Sequence, residues 1–244
     1  MTRAILLAAG QGTRLRPYTD DRPKCLVEYQ GRPILEHIIE TLNSCGITDV
    51  IVVTGYRNDC LSEYGTVRIH NDAYAATNMV STLFCASDWI NDDVIISYTD
   101  IVYRPRILSR LLESDAPISV AYDVNWRELW EERMEDPLSD AETFKLDEKG
   151  CIRELGKKPS SFGDIEGQYM GLFRLKEEGC KSFVEHYKSL DVNAIYDGKD
   201  FPNMYMTSFI QSLINTGYPV KGVQVEGGWT EIDSPEDLKY DLPN

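Results

Sequence analysis

Basic residues are in short supply in this chain. Its 244 residues carry 25 Lys and Arg against 40 Asp and Glu, a formal net charge of −15. A protein that grips a nucleic-acid backbone needs clustered cations to displace counterions, so the charge balance argues against that class of partner. Histidine is scarcer still: His37, His70 and His186 share no spacing and are read as core or surface residues rather than catalytic ones. The six cysteines (Cys25, Cys45, Cys60, Cys85, Cys151, Cys180) include no C-x-x-C pair and no histidines at metal spacing. That argues against a zinc site or disulfide framework and for reduced, mostly buried thiols. No apolar run approaches the roughly 18 residues of a membrane span. The apolar part of the N-terminus is too short for a signal peptide and leads straight into a glycine-rich loop, so it reads as a first core strand, and the chain is placed in the cytoplasm. Repeats and low-complexity linkers are also lacking.

What is present is the composition of an ordinary globular protein, 42% hydrophobic and 27% charged. The length suits one large α/β domain, or one with an insertion, and is cramped for two. Residues 4–8 form a short apolar run, 34–45 have helical periodicity, and 49–54 (DVIVVT) are β-branched, a strand-helix-strand pattern. A helix over 78–86 and a strand over 94–97 extend it to a parallel sheet covered on both faces, with ligands expected at the strands' carboxyl ends. Beyond residue 104 the pattern predicts a helix (105–113), a strand (117–122), a helical stretch with Trp126 and Trp130 on one face, and a hairpin over 143–154. A strand (169–175), helices (176–188 and 205–216), a strand (220–225) and a helix from Pro235 complete it. The acidic run 128–135, interrupted by Arg133, is read as a solvated helix face.

The first strand runs into Leu7-Ala8-Ala9-Gly10-Gln11-Gly12-Thr13-Arg14-Leu15, and Lys24 follows ten residues after Arg14. Gly10 and Gly12 permit a tight turn that brings amides against phosphate, and Arg14 and Lys24 add positive charge where a triphosphate would lie. An acidic chain needs such local help to hold an anion. The spacing is neither that of a Walker A loop nor that of a dinucleotide fingerprint.

This string, followed by Pro23-Lys24, resembles the signature of the sugar-phosphate nucleotidyltransferases. The resemblance continues through Val53-Thr54-Gly55-Tyr56, Asp100, residues 167–171 and residues 229–233, and so covers nearly the whole chain. It implies a Rossmann-like α/β fold, with a mixed, mostly parallel central sheet flanked by helices and a small acceptor-binding lobe. Residues 1–244 form a single domain in this reading, about 1–104 binding nucleotide and about 105–244 binding acceptor and completing the metal site. The implied cofactor is Mg²⁺ on Asp100 and Asp233, hard oxygen ligands that suit this ion. Asp233 also reads as a helix cap before Ser234-Pro235, a role Ser234 could fill instead. Lys24, Arg14 and Asp100 are the expected catalytic residues.

Among branches of the family the chain looks most like the small cytidylyltransferases acting on phosphocholine, aminoethylphosphonate or similar acceptors. The implied partners are therefore CTP and a small phosphorylated acceptor, with no nucleic acid or membrane; a homodimer is considered, with the oligomeric state open. Besides the loop, Gly55, Tyr56, Thr99, Asn78 and Ser81 are expected at the nucleotide, the last two reading equally as helix-entry caps. Residues 156–159 (GKKP) keep the Lys of a Glu-Lys-Pro found in many sugar branches but lose the Glu, which weakens the case for a hexose; Lys158 is expected on an acceptor phosphate. Trp126, Trp130, Glu142, Tyr169, Trp229 and Glu231 are candidates for a cationic-group cage, with core packing the alternative for both Trp126 and Trp130. Two rival readings are a hexose-1-phosphate nucleotidyltransferase and a non-catalytic nucleotide-binding regulatory subunit.

Overall fold

The structure, a computed structural model, describes residues 2–243. The first half holds β1 (Thr2–Ala8), β2 (Glu28–Tyr29), β3 (Arg32–Pro33), α1 (Ile34–Ser44), β4 (Asp49–Thr54), β5 (Val67–His70), α2 (Met79–Cys85), β6 (Asp93–Tyr98) and β7 (Ile101–Tyr103). Then come α3 (Pro105–Leu112), β8 (Ile118–Asp123), α4 (Trp126–Arg133), β9 (Phe144–Leu146), β10 (Ile152–Leu155), β11 (Gln168–Leu175) and α5 (Glu177–Ser189). The chain closes with β12 (Ile195–Tyr196), β13 (Lys199–Asp200), α6 (Met206–Asn215), β14 (Lys221–Val225) and β15 (Trp229–Glu231).

Seven strands form the central sheet in the order β14-β8-β11-β6-β1-β4-β5. All neighbours run parallel except β11, which is antiparallel to both β6 and β8. The sheet is thus mixed and mostly parallel. β1 lies inside the sheet between β6 and β4, and its near-continuous apolar run serves two cores: Ala4, Leu6 and Ala8 face one layer and Ile5 and Leu7 the other. The first layer takes the apolar stripes of α1 (Ile34, Leu35, Ile38, Leu42) and α3 (Ile107, Leu108, Leu111), together with α4. The second takes α2, α5 and α6. α1, α3 and α5 each bury one stripe and leave the opposite face more exposed, whereas α6 is buried all round over residues 206–211. Pro105 opens α3 at a position where its missing N–H costs nothing.

Two departures from the sheet's regularity shape its carboxyl edge. The β11 ladder shifts register between Tyr169 and Phe173 around Gly171, which has φ +76°; a Cβ there would lie 2.5 Å from the Tyr98 ring. Outside the sheet, β7 pairs antiparallel with β15, setting Glu231 opposite Ile101, and the Ile232 amide donates to the Asp100 carbonyl at 2.7 Å. This pairing carries residue 233 back beside residue 100.

The predicted helix from Pro235 is corrected by the structure to a single 3-10 turn, Asp237–Lys239. The chain is drawn away from a helical path by side-chain bonds to Asp237 and by a tail that follows the protein surface. Tyr29 donates to the Tyr240 carbonyl, and Arg104 to those of Leu242 and Pro243. Asp233 consequently caps no helix. The thiols are also less buried than expected: all six are free, but only Cys25 and Cys180 are buried and Cys85 is exposed.

Candidate active site

The loop after β1 is shaped by packing on both sides. Gly12 has φ +66°, and a Cβ on it would come within 2.8 Å of the Lys24 Cβ, so glycine is required by backbone conformation and by the approach of Lys24 alike. Thr19 donates to the Gly12 carbonyl at 2.8 Å, and buried Leu15 anchors the following turn. Gly55, at the end of β4, lies so close that a Cβ would meet the Ala9 carbonyl at 2.7 Å, and the Tyr56 amide donates to that same carbonyl. Thr99 ties the end of β6 to β1 through the Leu7 carbonyl at 2.8 Å.

At the junction of these strand ends lies a cluster of charges. Lys24 Nζ is 2.8 Å from Asp100 Oδ2 and 2.7 Å from Asp233 Oδ1, and Arg14 pairs with the remaining oxygen of Asp233. Burial alone would lower the Lys24 pKa, but Asp100, Asp233 and Glu231 outweigh it and hold the ammonium well above its ordinary value. Asp100 Oδ1 is buried and has no hydrogen-bond partner among the described residues. Glu231, beside the cluster, is pushed up to about 7 by burial and by the charge of Asp100.

The cluster separates two adjoining cavities. The smaller, about 120 Å³, is lined by Leu7, Ala9, Gly10, Lys24, Thr99 and Asp100 on one side and by Tyr74, Thr77, Asn78, Met79 and Thr82 on the other. Buried Asn71 organises that second wall, donating to the hydroxyls of Thr77 and Thr82 at 3.0 Å. The larger, about 300 Å³, includes Arg14, Tyr98, Trp130, Asp140, Glu142, Gln168, Tyr169, Tyr205, Thr207, Trp229 and Glu231, and it shares Asn78 and Met79 with the first. Its carboxylates outnumber its cations. Glu142, with Thr207 Oγ1 3.5 Å away, is pushed up to about 7 by burial and by nearby Asp140.

The expected site residues divide accordingly. Leu7, Ala9, Gly10, Lys24, Thr99, Asp100 and Asn78 meet at the smaller cavity, and Arg14, Trp130, Glu142, Tyr169, Trp229 and Glu231 at the larger one. Asn78 is also the cap of α2, its side chain accepting from the Met79 amide. Ala8, Gln11, Gly12, Thr13, Gly55 and Tyr56 line neither cavity; those tied down by the contacts above support the loop from behind. Ser81 faces elsewhere, donating to the Pro202 carbonyl at 2.8 Å. Lys158 is exposed and bonds the carbonyls of Leu138 and Ser139. Trp126 is a core residue, stacked on Phe162 and edge-to-face with Trp130.

Sequence reasoning missed Arg133. Its side chain is only 3% exposed and bonds Glu231 at 3.1 Å and Asp237 at 2.8 Å, so the one cation in the acidic run is a buried hub within an otherwise solvated face. That lone sign change was the available signal. Asp123 was also missed; it is buried and accepts from the Trp229 indole and the Gly227 amide, fixing the turn into β15.

Comparison with known proteins agrees with this geometry. Residues 4–151 match the MobA-like NTP transferase domain. The chain is 43% identical over 250 aligned positions to the CTP:phosphoglutamine cytidylyltransferase of Campylobacter jejuni, covering 98% of each chain. It is 36% identical to the choline-phosphate cytidylyltransferase of Streptococcus pneumoniae over 46% of this chain and 51% of that one. The inositol-1-phosphate CTP transferase of T. maritima shares the fold, with a TM-score of 0.77 at 21% identity over 97% of this chain and 91% of that one. No helix among the described residues is long and apolar enough to cross a membrane. With its glycine loop, charge cluster and paired cavities at the carboxyl ends of the strands, the chain belongs to the MobA-like NTP transferase domain family and is a nucleotidyltransferase of the sugar-phosphate nucleotidyltransferase type.

Proposed function

We propose that this protein is a cytidylyltransferase that transfers CMP from CTP to phosphoglutamine or a closely similar small phosphorylated acceptor, releasing pyrophosphate. The observation that carries this reading is the charge cluster where the two cavities adjoin: Lys24 and Asp100 line the smaller one, Arg14 and Glu231 the larger, and Lys24 bridges Asp100 to Asp233, where the reacting phosphates of donor and acceptor would have to meet. The near end-to-end similarity to a CTP:phosphoglutamine cytidylyltransferase supports the choice of substrates. The smaller cavity, drawn entirely from residues 7–100, is assigned to the nucleotide; the larger, drawn mostly from residues 98–231, is assigned to the acceptor. Its acidic and aromatic lining suits an acceptor with an ammonium group, such as the α-amino group of an amino acid. We place the reaction in the cytoplasm, which supplies the nucleoside triphosphate.

In this mechanism an acceptor phosphate oxygen attacks the α-phosphorus of CTP; a new P–O bond forms there as the bond to the β-phosphate oxygen breaks, and that oxygen leaves with pyrophosphate. A phosphoryl group on the acceptor is already largely ionised near neutral pH, so the enzyme's task is to hold two anions in line and neutralise them. Lys24 and Arg14 offset the charge at the α-phosphate and on the departing pyrophosphate, and the loop amides orient the donor. The residues fit Mg²⁺. Asp100 presents a buried carboxylate oxygen with no partner among the described residues, and Asp233 shares the Lys24 ammonium with it. Two carboxylates suffice for an ion that keeps several waters and takes its remaining ligands from substrate phosphate. Bound at Asp100 and Asp233, Mg²⁺ would supply further positive charge to the reacting phosphates.

Pyrophosphate release tests the proposal when four NTPs with Mg²⁺ are crossed against phosphoglutamine, phosphocholine, 2-aminoethylphosphonate, glycerol phosphate and glucose-1-phosphate. Turnover with CTP and phosphoglutamine, above the other acceptors, is expected. Turnover only with glucose-1-phosphate would replace the reading by an NDP-sugar synthase, and no turnover with any pair would leave a regulatory subunit.

A further inference from the structure

We infer that Arg133 and Asp237 form a positioning pair that sets the main-chain path of Asp233 and ties it to α4, the helix whose Trp130 lines the larger cleft. Residues 233 and 234 lie between β15 and the last 3-10 turn, outside any strand or helix. Their local anchor is one carboxylate oxygen: Asp237 Oδ2 accepts from the Asp233 amide at 2.9 Å, the Ser234 amide at 2.7 Å and the Ser234 hydroxyl at 3.0 Å. Arg133 fixes that carboxylate in turn. Its Nε is 2.8 Å from Asp237 Oδ1, its Nη2 is 3.4 Å from Oδ2, and its Nη1 reaches Glu231 at 3.1 Å. The guanidinium thus spans the residues on both sides of Asp233.

Stability alone is a poor explanation for this arrangement. Arg133 and Asp237 are 3% and 5% exposed, and a buried ion pair gives back most of its attraction as desolvation, so well-packed apolar residues would serve at least as well. What the ion pair adds is direction. A planar, two-pronged donor fixes the plane of the carboxylate, and the carboxylate fixes two successive amides. Because Arg133 belongs to the helix carrying Trp130, whose ring lies 5.9 Å from that of Trp229, a shift of α4 on filling the cleft would reach Asp233 through the same pair.

This inference rests on the proposed metal role of Asp233, and its test separates the two. Mn²⁺ binding to the full-length protein with CTP and without acceptor is followed by the electron paramagnetic resonance signal of free Mn²⁺, alongside thermal unfolding. The variants are Asp237→Asn, Arg133→Lys, Asp233→Asn and, for comparison, Arg174→Met. The last breaks a partly buried pair with Asp93 at the opposite end of β6. Asp237→Asn and Arg133→Lys should each weaken Mn²⁺ binding on the order of 10-fold, the usual effect of removing a group that orients a ligand. Arg174→Met should lower the unfolding temperature and leave Mn²⁺ binding unchanged. If Asp233→Asn loses Mn²⁺ while Asp237→Asn and Arg133→Lys bind it like the native protein, the positioning role is wrong and the metal assignment stands. If Asp233→Asn itself binds normally, the metal assignment fails and the inference falls with it. Should Asp237→Asn fail to fold, Arg133→Lys decides, since it keeps the charge and loses only the two-pronged geometry.

Discussion

The two cavities are built by different means. The smaller one is walled on one side by strand ends and the loop after β1, where Gly10 leaves room and a single buried lysine supplies charge, and on the other by residues 74–82. The larger is walled by side chains brought from Tyr98, from α4, from residues 140–142, from β11, from the start of α6 and from β15. A backbone cradle can accept any triphosphate of the right shape, whereas a wall of aromatic and acidic side chains selects by charge and contour. In the proposed reaction the first therefore bears on turnover and the second on choice of acceptor. That division can be broken by substitutions that affect the wrong parameter.

The largest effect is expected for Lys24→Ala. It removes the ammonium that bridges Asp100 and Asp233 and that would stabilise charge developing on the phosphates, so kcat should fall on the order of 10² or more, and Asp100→Ala should do likewise. Steady-state kinetics at saturating CTP and acceptor measure it. Near-normal kcat with a raised acceptor KM would mean that Lys24 serves the acceptor alone, and the contrast between the cavities would collapse.

How far each cavity was legible in the sequence follows from the same difference. One wall of the smaller cavity is nearly contiguous, since Leu7, Ala9, Gly10 and Lys24 lie within one strand-loop-turn segment; of the opposite wall (Tyr74, Thr77, Asn78, Met79, Thr82) only Asn78 was singled out from the sequence. Asp100 was legible because it ends a β-branched strand. The larger cleft was legible only in its conspicuous residues. Trp130, Glu142, Tyr169, Trp229 and Glu231 line it, but Trp126 turned into the core and Lys158 onto the carbonyls of Leu138 and Ser139; on the nucleotide side, Ser81 turned onto the carbonyl of Pro202. Periodicity marks which helix face is buried but not what that face is buried against, so it could not separate Trp126 from Trp130. The helix expected from Pro235 failed for a related reason. Ser-Pro followed by acidic residues is a good start signal, but Arg133, more than a hundred residues away in sequence, captures Asp237.

The glycine loop allows a finer comparison, with an intermediate expected effect. Gly12→Ala places a Cβ at positive φ and 2.8 Å from the Lys24 Cβ, so the loop or the lysine must move. The backbone strain alone costs about 1–2 kcal/mol, and the unfolding temperature should drop by a few degrees together with a fall in kcat on the order of 10-fold. At Gly10 a Cβ meets nothing within 4 Å, although the residue lines the smaller cavity. Gly10→Ala should therefore keep the native melting temperature and raise only the KM for CTP. Equal melting temperatures for the two variants would show that the conformation of Gly12 is not what holds Lys24.

The smallest effect, and the one most specific to the larger cleft, concerns Glu142. Burial, helped by Asp140, holds its pKa near 7, above the ordinary 4.5; Asp140, Glu231, Arg14, Tyr98 and Tyr169 line the same cleft. A carboxyl group whose pKa rises on folding favours the folded state while protonated. That contribution is complete below about pH 4.5 and is lost as the pH rises through 7. Glu142→Gln escapes the loss, so without ligands it should unfold level with the native protein at low pH and on the order of 2–4 °C above it at pH 8. With an ammonium-bearing acceptor the balance reverses, because the ionised carboxylate then has a partner. The native KM for that acceptor should fall as the pH rises through 7, while Glu142→Gln should show a KM raised on the order of 10-fold and no such fall beyond that due to the acceptor phosphate itself. The KM for CTP should be the same in both proteins. An acceptor KM unchanged by Glu142→Gln, with the stability difference present, would leave Glu142 as a buried acid of the fold and move recognition of the ammonium to Asp140 or the aromatic wall.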